Sequence, residues 1–171
     1  MTDITPFEIA IPESKLADLR QRLANTNFAN EIVGGGWSYG PTGEFVGRMV
    51  ERLLNGFDWR KQEAAINRHP QFMTEIDGQT IHFLHVKSGQ PEATPLLLLH
   101  GWPGSFVEFL DAIAPLTAAG FDLVIPSLPG FGFSGPTRDA GWNDGRIANA
   151  LLELMTRPDY ERFGVQGGDA G

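Results

Sequence analysis

The chain contains no cysteine, so neither a disulfide framework nor thiolate chemistry is available to it. It has few cations, 13 Lys and Arg against 21 Asp and Glu, and they form no basic patch with interleaved aromatics, which argues against nucleic acid as a partner. No apolar run is long enough to span a bilayer, so no membrane-spanning segment is expected. The first residues lack a basic segment leading into an apolar core, and a cytoplasmic location is expected. There are no repeats and no low-complexity tract. What is present in quantity is turn chemistry: 21 Gly and 12 Pro among 171 residues, with 42% hydrophobic residues to build a core. That balance suits an α/β protein better than a helical bundle.

The N-terminal part is expected to be extended over residues 1–11, then helical. Leu16, Leu19 and Leu23 share one face of a helix over 13–24. Thr42 is placed to cap a second helix, with Phe45, Met49 and Leu53 in one stripe, and Asp58 to cap a third. Between the first two lies a glycine-rich stretch where Trp37 and Tyr39 either peg a loop to the body or approach a substrate channel. Residues 72–76 and 80–86 alternate as strands joined by Asp77-Gly78, a hairpin signal. His82 and His85 fall on opposite faces of the second strand, so they make no metal pair and read as structural.

From residue 95 the pattern changes. Leu96 to Leu99 is a continuous apolar run, as in strands of a parallel sheet. Ser105 and Glu108 have capping-box spacing, and a helix is expected from there to near Gly120. A strand over 121–125, a Pro/Gly loop over 127–136, a helix from Trp142 to Thr156 and a strand near 163–165 follow. The fold class is therefore α/β, a helical and meander extension over 1–95 followed over 96–171 by the front half of an α/β sheet.

Chemistry concentrates at the carboxyl ends of two of these strands. Gly167-Gly168-Asp169-Ala170-Gly171 has the Gly-x-nucleophile-x-Gly spacing of a sharp strand-to-helix elbow, with aspartate where serine often stands. A carboxylate can attack an alkyl carbon and leave an ester, which water then hydrolyses. The backbone N–H groups of Trp102 and Ala170 are expected to form an oxyanion hole for that second step. His100, Trp102, Phe131 and Phe133 are the expected pocket residues, with His100 holding its loop through hydrogen bonds rather than acting as base. Gly130-Phe131-Gly132 lacks the spacing of a dinucleotide loop, and no metal-ligand cluster is present. No cofactor and no metal are expected.

Eight stretches occur together in order: Trp37-Ser38-Tyr39-Gly40, Phe57-Asp58-Trp59-Arg60, Pro70-Gln71-Phe72, Ile76-Asp77-Gly78, the strand from Ile81 to Val86, His100-Gly101-Trp102-Pro103-Gly104-Ser105, the loop from Pro126 to Pro136, and Gln166-Gly167-Gly168-Asp169. Along nearly its whole length the chain thereby resembles the microsomal-type epoxide hydrolases, α/β-hydrolase enzymes with an N-terminal epoxide hydrolase region. The resemblance implies that Asp169 opens an epoxide to an aspartyl ester and that a vicinal diol is released. It implies a small apolar epoxide as substrate and no cofactor. The family usually has Trp after its nucleophile; Ala170 stands here, which argues against dehalogenation, just as Asp169 argues against ester chemistry. The family's lid tyrosines, orienting acid and histidine base fall after the positions present, so the chain reads as an N-terminal portion whose remainder is either lost or supplied by a complementary C-terminal chain. Alone it is expected to leave Leu96 to Leu99 uncovered, to be marginally stable and to be without turnover. A non-catalytic remnant or interaction module is the alternative.

Overall fold

The computed structural model describes residues 4–169 and Gly171. They form two compact units, residues 9–64 and a second unit built from residues 65–171 with the N-terminal segment through Glu8.

The first unit contains α1 (Glu13–Ala24), α2 (Gly43–Asn55) and most of α3 (Trp59–Ile66). Caps start the latter two helices as their sequences require: Phe45 N–H donates to Thr42 Oγ1 at 3.2 Å, and Lys61 N–H to Asp58 Oδ1 at 3.2 Å. Glu63 is a hub that periodicity does not reveal. Its carboxylate accepts from Ile11 N–H at 2.7 Å, Trp59 Nε1–H at 3.1 Å and the Arg60 guanidinium at 2.6 Å. The Ile11 N–H, then Arg60, hold its pKa below the usual carboxylate range. No residue of α2 is buried, and Met49 and Leu53 are exposed. Trp37 and Tyr39 are not pegs: they lie in a 3-10 turn, largely exposed, and Trp37 meets only the edge of Phe45 among ring partners, at 5.1 Å.

The second unit is a six-stranded sheet in the order β1-β2-β3-β5-β4-β6, from β1 (Thr5–Phe7), β2 (Gln71–Ile76), β3 (Gln79–Val86), β4 (Thr94–Leu99), β5 (Phe121–Pro126) and β6 (Gly164–Gly167). The β2–β3 hairpin turns on Asp77 and Gly78, at φ 51° and 71°, the left-handed pair that Asp-Gly favours. β1, β2 and β3 pair antiparallel and β3 meets β5 antiparallel, whereas β4 pairs parallel with both β5 and β6. The chain thus leaves β4 to one side through α4 (Leu110–Ala118) and returns to its other side through α5 (Asp144–Thr156). That reversal of direction creates a switch point at the carboxyl ends of β4 and β6, where α/β sheets open a crevice.

The main core lies on one sheet face, where Ala150, Leu151, Leu154 and Met155 of α5 pack with Ile76, Ile81, Phe83, Leu97 and Val124. Leu97 and Leu98 are each 2% exposed, so the expectation that Leu96 to Leu99 would be uncovered fails for the middle of the run, where strands flank β4 on both sides and α5 covers Leu97, while Leu96 and Leu99 are half-buried. Two boundaries also differ from expectation. The segment after Ser105 enters as a 3-10 turn over Phe106–Phe109, with Glu108 N–H on Ser105 O at 3.1 Å, before α4 begins. α5 starts at Asp144 rather than Trp142, because Asn143 Oδ1 accepts from Arg146 N–H and so caps the helix. Trp142 instead lies under the Arg146 guanidinium, 4.2 Å from the ring centroid, and donates Nε1–H to Asp139.

Candidate active site

The crevice at the switch point is built by two loops. One leaves β4 as His100 to Gly104, and the other leaves β6 as Gly168-Asp169. Asp169 has φ 58°, one of the few non-glycine residues held in the left-handed region. Asp tolerates that region better than bulky residues, but the position still marks a sharp, strained bend. The glycines around it are required by space as much as by torsion. A Cβ on Gly101 would lie 2.7 Å from Asp169 Cβ and 2.9 Å from its Oδ1. A Cβ on Gly171 would meet the carbonyl oxygens of Leu99 and His100 at 2.5 and 2.8 Å, and one on Gly167 would overlap the Gly171 backbone. Both flanking glycines of the Gly-x-Asp-x-Gly pattern are thus places where backbone passes backbone.

One link across the crevice joins residues 67 apart in sequence. Trp102 N–H donates to Asp169 Oδ1 at 2.8 Å. The two side chains stand at the rim of an open recess of about 510 Å³, lined also by Leu99, Pro103, Glu108 and Phe109. Trp102 is 69% exposed there, and the Trp102–Pro103 peptide is cis.

The other expected pocket residues are placed differently. His100 is buried beneath the recess. Its Nε2 accepts from Leu128 N–H at 3.1 Å, so it carries a lone pair, and Nδ1–H faces Gly101 O at 3.0 Å. The ring thus ties the β4 loop to the loop after β5. Phe131 lies edge-on to it at 5.4 Å and packs on the core. Phe133 faces away from the recess lining, toward Phe7, His82 and Phe106. Ala170 lies outside the described residues. A second hollow, about 440 Å³, sits in the helical unit between the 26–32 segment and Tyr39; its lining includes Glu31 and Gly43, whose N–H donates to the Glu31 carboxylate. Among the described residues no group of three His, Cys, Asp or Glu is arranged to hold a metal, and no helix is long and apolar enough to cross a membrane.

A buried polar network under the same loops escaped the sequence reading. His82 is fully buried, with Nε2 at 3.0 Å from Gln71 Oε1 and Nδ1 at 2.9 Å from Ser127 Oγ. Gln71 Nε2 donates to Asn67 Oδ1, which turns Gln71 Oε1 toward the ring. His82 then donates from Nε2 and accepts the Ser127 hydroxyl at Nδ1. Its N–H donates to Ser134 Oγ, whose hydroxyl donates to Ser127 O at 2.6 Å. Both ends of the 127–134 loop are pinned to one residue of β3. Burial pushes the His82 pKa down to about 4.

Residues 4–109 match the family described as Epoxide hydrolase N terminus, and residues 94–171 match the alpha/beta hydrolase fold. The chain belongs to the epoxide hydrolases. A Stigmatella aurantiaca protein that carries an epoxide hydrolase name is 47% identical over 98% of this chain and 40% of its own. The solved Aspergillus niger epoxide hydrolase superposes with a TM-score of 0.89 at 38% identity, and the juvenile hormone epoxide hydrolase of the silkworm Bombyx mori with 0.92 at 34%. Each superposition covers 99% of this chain and 47% of the other. This epoxide hydrolase chain therefore spans less than half the length of these relatives, and the portion it spans includes the elbow and the N-terminal region.

Proposed function

We propose that this chain supplies the nucleophile and the oxyanion site of an epoxide hydrolase acting on a small apolar epoxide. The observation that carries the reading is the bond from Trp102 N–H to Asp169 Oδ1 at the strained elbow. With Oδ1 held by Trp102 N–H, Oδ2 is the proposed attacking oxygen, in line with an epoxide carbon. The carbon–oxygen bond of the ring breaks as the Oδ2–carbon bond forms, and the alkoxide takes a proton from an acid. Oδ1 is then the carbonyl oxygen of the ester. When water attacks that carbonyl, negative charge collects on Oδ1, where the Trp102 N–H already stands; a donor so placed lowers the barrier by about 3 kcal/mol. Collapse releases the vicinal diol and restores the carboxylate. Ala170 N–H is proposed as the second donor.

The proton donor and the base that activates water are proposed to come from a complementary C-terminal chain. His100 is unsuited to the task because its Nε2 lone pair is engaged by Leu128 N–H. The chain alone is accordingly proposed to be without turnover. Intact mass spectrometry after incubation with styrene oxide tests this, using the chain by itself and mixed with the downstream half of a family enzyme. An adduct that Asp169→Ala abolishes, with diol released only from the mixture, is expected. Association of the two halves with no adduct on either would refute the catalytic reading and leave an interaction module.

A further inference from the structure

The donor on which the proposed chemistry depends is one end of a peptide group. Gly101 C=O and Trp102 N–H belong to the same planar trans unit, so they point in opposite directions and turn together. Whatever holds the Gly101 oxygen therefore aims the Trp102 N–H at Asp169 Oδ1, 2.8 Å away. Aim matters because an N–H···O bond weakens steeply once its alignment is lost. The Trp102 side chain is 69% exposed and adds little to hold the unit in place. Two donors meet the Gly101 oxygen: Gly104 N–H at 2.8 Å, which closes the turn, and His100 Nδ1–H at 3.0 Å. A carbonyl has two lone pairs, and a single donor leaves it free to swing about that one bond. The bond from His100 fixes the plane.

His100 can give that bond in one arrangement only. The Gly101 oxygen can only accept, and Leu128 N–H, 3.1 Å from Nε2, can only donate. Both are satisfied with the ring proton on Nδ1 and the lone pair on Nε2. Leu128 N–H thus places the proton, and Leu128 is itself held on both sides. Before it, Ser127 N–H donates to His82 O at 2.8 Å, Ser127 Oγ lies 2.9 Å from His82 Nδ1, and Ser134 Oγ–H donates to Ser127 O at 2.6 Å. After it, Phe131 N–H donates to Leu128 O at 2.9 Å, and the Leu128 side chain is packed in the core. His100 is 1% exposed, with the edge of Phe131 against its ring, so water is poorly placed to replace either of its bonds. Hydrogen bonds therefore run in series from His82 on β3, through the 127–134 loop and His100, to the Gly101–Trp102 peptide.

We infer that His100 is a positioning residue: its Nδ1–H, kept there by Leu128 N–H, sets the tilt of the Gly101–Trp102 peptide and so the aim of the oxyanion donor at Asp169. It touches no reacting atom. The inference rests on Trp102 N–H being the oxyanion donor proposed above. The two fail separately, because that reading falls if associated halves form no adduct, whereas this one is read from amide signals without substrate.

The test is NMR on the 171-residue chain with two substitutions that each keep one half of the imidazole. His100→Asn sets an amide N–H where Nδ1 stood and leaves Leu128 N–H without its acceptor. His100→Gln sets an amide oxygen where Nε2 stood and leaves the Gly101 oxygen with Gly104 N–H alone. In His100→Gln the Leu128 amide signal is expected to stay as in the parent. The Trp102 amide proton, which reports its bond to Asp169, should move upfield and exchange roughly two- to tenfold faster, the range for losing one hydrogen bond. In His100→Asn the pattern should reverse. A residue that merely tied two loops together would disturb Trp102 alike in both. Trp102 signals displaced as much or more in His100→Asn, or displaced in neither variant, would overturn the inference. Should either variant fail to fold, the ring nitrogen signals of His100 in the parent decide it: a proton on Nδ1 alone supports the inference, and a proton on Nε2 overturns it.

Discussion

Replacing His82 with glutamine should remove about one proton from the pH dependence of folding. His82 is fully buried between the edges of Phe7, Phe106 and Phe133, and it is held neutral by its two ring partners. Desolvation lowers its pKa from 6.5 to about 4 in the folded chain, while the unfolded chain keeps the ordinary value. Between those two values the unfolded state binds more protons, so stability rises with pH. The contribution is complete above about pH 6.5 and is lost as pH falls through about 4. The full span is about 3 kcal/mol at 1.36 kcal/mol per unit, of which about 2 kcal/mol falls between pH 7 and 5. Near pH 5 the slope from this one group is about 1 kcal/mol per pH unit. His85 and His69 are also lowered, chiefly by burial, and add slope of the same sign. Urea unfolding in half-unit steps from pH 5 to 7 measures the slope directly. His82→Gln will be less stable at pH 7, but its slope should be shallower than the parent's by close to one proton. Parallel lines for parent and variant would refute the reasoning, because they would mean that His82 is not held neutral by its site.

Gly101→Ala places a methyl group 2.7 Å from Asp169 Cβ, and either the β4 loop or the elbow must yield. Overpacking of this kind costs about 1–3 kcal/mol, read as a lower urea midpoint, and the Trp102 amide signal should move with it. Leu154→Ala empties the centre of the α5 contact, where the side chain is fully buried, and should cost about 2–5 kcal/mol, whereas Leu152→Ala on the exposed side of the same helix should change stability little.

The apolar and turn patterns of the chain were legible because they are local. The period of α1, the caps at Thr42 and Asp58, the left-handed Asp77-Gly78 turn and the leucine run of β4 each follow from torsional preference or from the spacing of one element. The Gly-x-Asp-x-Gly elbow was legible for the same reason: a bend that tight leaves few residue types to choose from. Local pattern could not say what Asp169 faces, since its Trp102 partner is 67 residues away and donates from the main chain, which carries no residue signature. Nor could it tell that Phe131 and Phe133, two positions apart, turn to His100 and to His82. Glu63, Gln71 and Ser127 look in sequence like any surface polar residue, and only folding removes water from around them and supplies their partners. Periodicity and turn chemistry determined the elements and the bend; the tertiary structure decided which polar groups close on one another across the sheet, because a hydrogen bond depends on the distance between its atoms in space and carries no trace of their separation in sequence.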